Sequence, residues 1–270
     1  MVRIISGLVM LPVVLGSVFY GEVSYLFLML AIIIIGMGEW ARMVEPRITK
    51  FSYYLSILTA FVSIITFYSA INSNIWGLIL LLLGISSYLV NQLQGGRYSY
   101  RLIFGLVYLT MAVNVMLWIR LESEAGLFYT LLMFFIVWSS DIGAYFSGKL
   151  IGGPKLAPKI SPNKTWAGFI GSSVWAGLIC FIMMKPEVLE YFSDKPEAMQ
   201  QIPLWCIVAL GGVLAMFGQA GDLFISSIKR HYGLKDTGNV IPGHGGILDR
   251  VDALLLVSLV YAGVLRFIGG

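Results

Sequence analysis

Chemistry on phosphates needs cations, carboxylates and open backbone N–H groups held close together, and one stretch of this chain gathers all three. Residues 226–252, SSIKRHYGLKDTGNVIPGHGGILDRVD, carry Lys229, Arg230, Lys235 and Arg250, the carboxylates Asp236, Asp249 and Asp252, and both histidines, His231 and His244. Asp222 lies just upstream. At 100° per residue, Gln219, Asp222, Ser226 and Lys229 fall within an arc of roughly 80°, so one helix face presents an amide, a carboxylate, a hydroxyl and an ammonium. Asp249 and Asp252 share a face where the next helix starts, and carboxylates suit the positive end of its dipole. Asp222 and Asp249 form a plausible pair for Mg²⁺, which typically takes one or two carboxylates plus substrate phosphates. Gly243, Gly245 and Gly246 let backbone N–H groups approach phosphate oxygens closely. His244 either bonds a phosphate or fixes the turn, and His231 reads as a surface residue.

A second segment, WSSDIGAYFSGKLIGGPKLAPKISPNKTWAG from Trp138, adds Asp141 at a membrane edge. Its Lys149, Lys155, Lys159 and Lys164, with Ser161, Asn163 and Thr165, suit a polyanionic partner. Gly143 to Lys149 nearly matches a phosphate-binding G-x-x-x-x-G-K loop. That reading fails: Leu150 stands where Ser or Thr should be, and the glycines ride on a membrane helix, not after a strand.

What must position these groups is a membrane scaffold. The chain is 58% hydrophobic and 12% charged, with a mean hydropathy of +0.85, whereas soluble domains carry about 25% charge. Alternating ten-residue segments, the mark of a lipid-facing barrel, are absent. Nine spans of the length that crosses ~30 Å of hydrocarbon fit at about 4–20, 24–41, 53–70, 76–93, 102–119, 126–146, 166–184, 203–227 and 249–268. With the N-terminus inside, 14 of the 18 Lys+Arg face the cytoplasm and only Arg120, Lys185, Lys195 and Arg266 face out. That split favours nine spans, N-in and C-out, by the positive-inside rule. The reading is thus an all-α polytopic protein with its site at the cytoplasmic face. It forms one membrane domain, 1–270, in which 1–94 is scaffold and 126–165 and 203–252 carry the chemistry. The N-terminus has the look of a signal peptide but no convincing small-residue cleavage site, and reads as a retained first span. Cys180 and Cys206 are too few for a disulfide framework or a zinc site and read as buried small hydrophobes. The 185–202 connection reads as a solvated outer loop.

At residue level, Ser226-x-Ile228-Lys229-Arg230, Lys235-Asp236-x-Gly238 and Ile241-Pro242-x-His244-Gly245-Gly246-Ile247-x-Asp249-Arg250-Val251-Asp252 resemble the signature of the phosphatidate cytidylyltransferases, or CDP-diacylglycerol synthases. Ser140-Asp141-x-x-Ala144-Tyr145-x-x-Gly148-Lys149 and Lys155-Leu156-x-Pro158-x-Ile160-Ser161-Pro162-x-Lys164-Thr165 are also similar to that family. One position departs: Ala167 stands near where the family pattern would have an acidic residue. The resemblance implies transfer of CMP from CTP to phosphatidic acid, with Mg²⁺ and room for a second cation, in a multi-pass protein of the cytoplasmic membrane that forms a homodimer. On this reading Lys229, Arg230, Asp222 and Asp249 are catalytic, the two aspartates hold the metal, and Asp141, Lys149, Lys164, Ser226, Lys235, Asp236, His244, Gly245, Gly246, Arg250 and Asp252 bind substrate. Membrane lipids are partners, and nucleic acid is not.

The charge problem fits independently. Two unit charges 4 Å apart repel by about 4 kcal/mol at an effective dielectric near 20, so joining two anionic phosphates demands several cations. Three rival readings differ in what they need. A CDP-alcohol phosphotransferase needs a D-G-x-x-A-R motif, which is missing. A cytidylyltransferase or kinase acting on another lipid differs only in substrate. An ion-coupled transporter, with Asp141, Asp222 and Asp252 as relays, needs midplane carboxylates and paired broken helices.

Overall fold

The computed structural model describes residues 2–69, 99–243 and 245–269, and these are overwhelmingly helical. In chain order they form α1 (Val2–Tyr20), α2 (Glu22–Val44), α3 (Lys50–Ser69), α4 (Ser99–Leu121), α5 (Gly126–Leu150), β1 (Lys155–Ala157), β2 (Ser161–Thr165), α6 (Trp166–Met183), α7 (Pro186–Leu189), α8 (Glu197–Gln200), α9 (Leu204–His231) and α10 (Leu248–Ile268). Among the described residues seven helices, α2 to α6 with α9 and α10, are long and apolar enough to cross a membrane. α1 coincides with the first expected span. The span expected at 76–93, with Arg97 beyond it, lies outside the described residues.

The protein has strands that hydropathy did not predict. β1 and β2 pair antiparallel, Lys155 opposite Thr165 and Ala157 opposite Ser161. The pair hangs on backbone hydrogen bonds, with Ile160 N–H donating to Ala157 O at 3.1 Å and Trp166 N–H to Pro154 O at 3.1 Å. The outer connection likewise holds the two short helices α7 and α8.

The chain divides into two compact units, Met1–Trp118 with Lys229–Val251, and Ile119–Ile228 with Asp252–Gly270. In the first, α2 buries Tyr25, Met29, Ile33, Met37, Trp40 and Val44, spaced at the three- and four-residue steps of one helix face. The Trp40 ring lies on bare Gly105, where a Cβ would collide with it, and its Nε1–H donates to Arg101 O at 3.0 Å. α3 buries Ser52, Ser56, Thr59 and Ser63. Ser56 and Thr59 return their hydroxyls to Tyr53 O and Leu55 O, each at 2.8 Å. Small hydroxyls satisfied within their own helix let apolar neighbours approach closely.

In the second unit, close approach is made by glycine. A Cβ at Gly143 would strike Trp175, at Gly171 Ser147, and at Gly168 the carbonyl of Ala144. α5 and α6 therefore meet along small residues, and Gly148 faces Thr165 at the same seam. This explains Gly143 and Gly148 as packing positions. Thr165 caps α6, its Oγ1 accepting from Gly168 N at 3.1 Å, as N-cap threonines do. Glu124 Oε1 accepts from Ala198 N at 2.8 Å and the Tyr129 hydroxyl at 3.3 Å, tying α8 to the start of α5. Cys180 is buried, Cys206 is half-buried, and both are free.

Candidate active site

In the first unit the site begins where α9 stops. Gly233, at φ 69°, takes the left-handed conformation that ends a helix cheaply only as glycine. Its N–H bonds Arg230 O at 3.1 Å, and Leu234 N–H bonds Lys229 O at 2.8 Å. Those two bonds satisfy the last carbonyls of α9 and turn the chain back. Arg230 reinforces the reversal, with Nη1 donating to Leu234 O at 2.9 Å.

Lys229 points inward. Its Nζ donates to Asp249 Oδ1 at 2.7 Å, and the two side chains are only 9% and 5% exposed. Asp249 Oδ2 accepts from Thr237 N at 2.8 Å and Gly246 N at 3.0 Å, and the Thr237 hydroxyl lies 3.1 Å from it. Donors to the charged form are what a buried carboxylate requires. The signature turn thus wraps one carboxylate. Oδ1 accepts only from Lys229 among the described residues, and is the oxygen with capacity to spare for a cation.

Beside this core, Lys235, Asp236, Asn239, Ile241, Pro242, Gly243, Gly245 and Arg250 line a cavity of ≈ 510 Å³. Gly243 and Gly245 have φ of 75° and 82°, and Ile241 N–H closes the turn on Gly245 O at 2.9 Å. Left-handed glycines bring backbone to the cavity wall with no side chain between. Lys235 and Arg250 bring two positive charges to it. Gly246 differs: it is buried and its N–H is held by Asp249. His244 lies outside the described residues, and His231 is exposed.

In the second unit, Asp222 is the centre. The β hairpin delivers Lys164, whose Nζ stands 2.6 Å from Asp222 Oδ2, with the side chains 19% and 32% exposed. Ser226, one turn along α9, donates to Asp222 Oδ1 at 3.1 Å, and the Asp252 carboxyl lies beside Asp222. Gln219, the next member of that face, donates to Asp141 Oδ1 at 3.4 Å. Of the helix face drawn at 100° per residue, Ser226 meets Asp222, while Gln219 pairs with Asp141 and Lys229 with Asp249. A carboxylate with a hydroxyl and a second carboxyl beside it is the hard-oxygen donor set that Mg²⁺ prefers. Lys149 is exposed and lies over its neighbour Tyr145, Nζ to hydroxyl 3.3 Å.

One residue of the first unit was missed. Glu39, on α2, is 6% exposed. Its Oε1 accepts from Ile247 N at 2.9 Å, and its Oε2 from Leu248 N at 3.0 Å and Thr237 Oγ1 at 2.9 Å. It caps α10 from another helix, meeting N–H groups that have no partner within α10. The signal was present: Glu39 is the one charged residue between 24 and 41, and a charge inside a span is by default functional. Thr237, inside the signature, was passed over too.

Compared with known proteins, residues 1–268 match the model of the Cytidylyltransferase family. A Staphylococcus saprophyticus protein named phosphatidate cytidylyltransferase is 48% identical over 132 residues, 49% of this chain and 46% of that protein. Proteins of the same name from Staphylococcus epidermidis and Staphylococcus aureus are 45% and 44% identical over 147 residues, 54% of this chain and 52% of each relative. The matches thus span about half the length of these curated relatives.

Proposed function

Since the chain belongs to the Cytidylyltransferase family, we propose that it transfers CMP from CTP to phosphatidic acid, yielding CDP-diacylglycerol and pyrophosphate. The observation that carries this reading is the ≈ 510 Å³ cavity of the signature turn, with Lys235 and Arg250 on its wall and left-handed Gly243 and Gly245 exposing backbone to it. Cations and bare backbone together suit the triphosphate of a nucleotide.

In the proposed reaction a phosphatidate oxygen attacks the α-phosphorus of CTP. The new P–O bond forms as the α–β bridging P–O bond breaks, and pyrophosphate leaves with its electron pair. Oriented binding of both reactants supplies most of the advantage, so no covalent enzyme intermediate is needed. Lys229, Arg230, Lys235 and Arg250 offset the charge of the phosphates, and Lys164 does so beside Asp222. Asp222 and Asp249 are the proposed Mg²⁺ ligands, each on the grounds of its own donor set. When bound, the ion neutralises phosphate charge and stabilises the leaving group.

The same reading places the protein in the cytoplasmic membrane of a bacterium, with nine spans, N-in and C-out, as a homodimer, the lipid entering from the inner leaflet and CTP from the cytosol. The seven apolar helices and the bacterial relatives support the coarser part of this. The test is incubation of purified protein in detergent with CTP, phosphatidic acid and Mg²⁺, with mass spectrometry of the lipids. CDP-diacylglycerol that disappears with EDTA and in Asp222→Asn is the expected result. No product from folded protein overturns the assignment and sends the search to other lipid phosphates.

A further inference from the structure

We infer that Glu39 is a positioning residue of the proposed cytidylyl transfer, holding through Thr237 the turn that carries Asp249; the inference rests on that reading of the site. Thr237 has two donors and uses them in two directions. Its N–H points at Asp249 Oδ2, 2.8 Å away. Its hydroxyl lies 2.9 Å from Glu39 Oε2 and 3.1 Å from Asp249 Oδ2, and a hydroxyl has one proton to give. With the N–H already serving Asp249, the residue works as a clip between the two carboxylates.

The grip on the turn is wider than one residue. Glu39 also takes the N–H groups of Ile247 and Leu248, directly before Asp249. A Cβ on Gly238 or Gly246 would run into the Glu39 carboxylate. Two glycines of the signature are therefore accounted for by the approach of this side chain. Among the described residues no cation pairs with Glu39. Its burial is sustained by three donors, all from the signature, and a buried charge so held loses its support if the turn shifts. The geometry of Asp249 is consequently set from two sides, by Lys229 on Oδ1 and by the Glu39-anchored turn on Oδ2.

Kinetics and amide exchange of the full-length protein in detergent test this. Glu39→Gln keeps the size but places an NH₂ where an acceptor stood. It should lower kcat about 10- to 100-fold, the usual effect of losing a supporting partner, leave KM for phosphatidic acid unchanged, and speed hydrogen exchange across 236–248 with no substrate present. Thr237→Val should also lower kcat, Thr237→Ser should keep near-normal kcat, and the double variant should fall by less than the product of the single losses, because the two substitutions share the Thr237–Glu39 link. Unchanged exchange and kcat in Glu39→Gln would overturn the inference. So would a multiplicative loss in the double variant, or a kcat loss that only tracks the folded fraction. A wild-type protein that makes no product defeats the cytidylyl reading instead, and the exchange measurement alone then decides whether Glu39 holds the turn.

Discussion

Two aspartates that a sequence treats alike are held in unlike ways. Asp222 is about a third exposed, and its partner Lys164, delivered by a hairpin, is 19% exposed, so this pair is half-buried and keeps part of its solvation. Asp249 is 5% exposed and neutralises a lysine that is 9% exposed. Removing one partner of a buried pair leaves the other charged and unpaired, at about 3–5 kcal/mol. Asp222→Asn should therefore cost less stability than Asp249→Asn, while both abolish turnover. Thermal unfolding of the two purified variants separates these outcomes. Equal midpoints would mean that the Lys229–Asp249 pair is not a structural charge pair in solution. The carboxylates and lysines of this site were legible as types at spacings. Burial was not, because it depends on what the turn wraps around.

At the scale of elements, helices were readable and their junctions were not. A span announces itself through some twenty apolar residues. The β hairpin shows no such signal: Lys155, Pro158, Lys159 and Pro162 break any apolar alternation, and the pairing rests on backbone bonds that side chains do not advertise. Glu39 is hidden for a related reason: it lies 198 residues from Thr237, on a span whose composition reads as scaffold. The end of α9 lies between these cases, since a glycine after Lys-Arg-His is a recognisable stop signal. Gly233 has nothing near the place of its missing Cβ, so a substitution there tests backbone alone. Gly233→Ala should cost about 1–2 kcal/mol, the penalty of a left-handed conformation for an L-residue. It should also lower kcat, since Lys229 and Arg230 sit in the turn that this glycine closes. A variant with unchanged stability would show that the helix ends some other way in solution.

For the whole molecule, parity is what a single sequence can argue and a set of helices cannot. Eight of the nine expected spans coincide with helices, and 76–93 lies outside the described residues. Leaving that stretch uncrossed while keeping the N-terminus inside would put Arg97, Arg101, the four lysines of 149–164 and the four cations of 229–250 on the outer side. Inside would remain Arg3, Arg42, Arg47, Lys50, Arg120, Lys185, Lys195 and Arg266, eight of the 18 Lys+Arg. The charge bias that orients membrane helices would vanish. Nine crossings also put the cations proposed to meet CTP on the side where CTP is found. In a background with Cys180→Ser and Cys206→Ser, single cysteines at Lys159 and Lys195 can be challenged with a membrane-impermeant maleimide in intact cells. Labelling of Lys195→Cys alone, with Lys159→Cys reacting only after lysis, is the expected pattern. The reverse would invert the topology and put the lysines on the wrong side for a cytosolic nucleotide. Labelling of both in intact cells would mean that the two connections share a face, and the count of nine would fail between them.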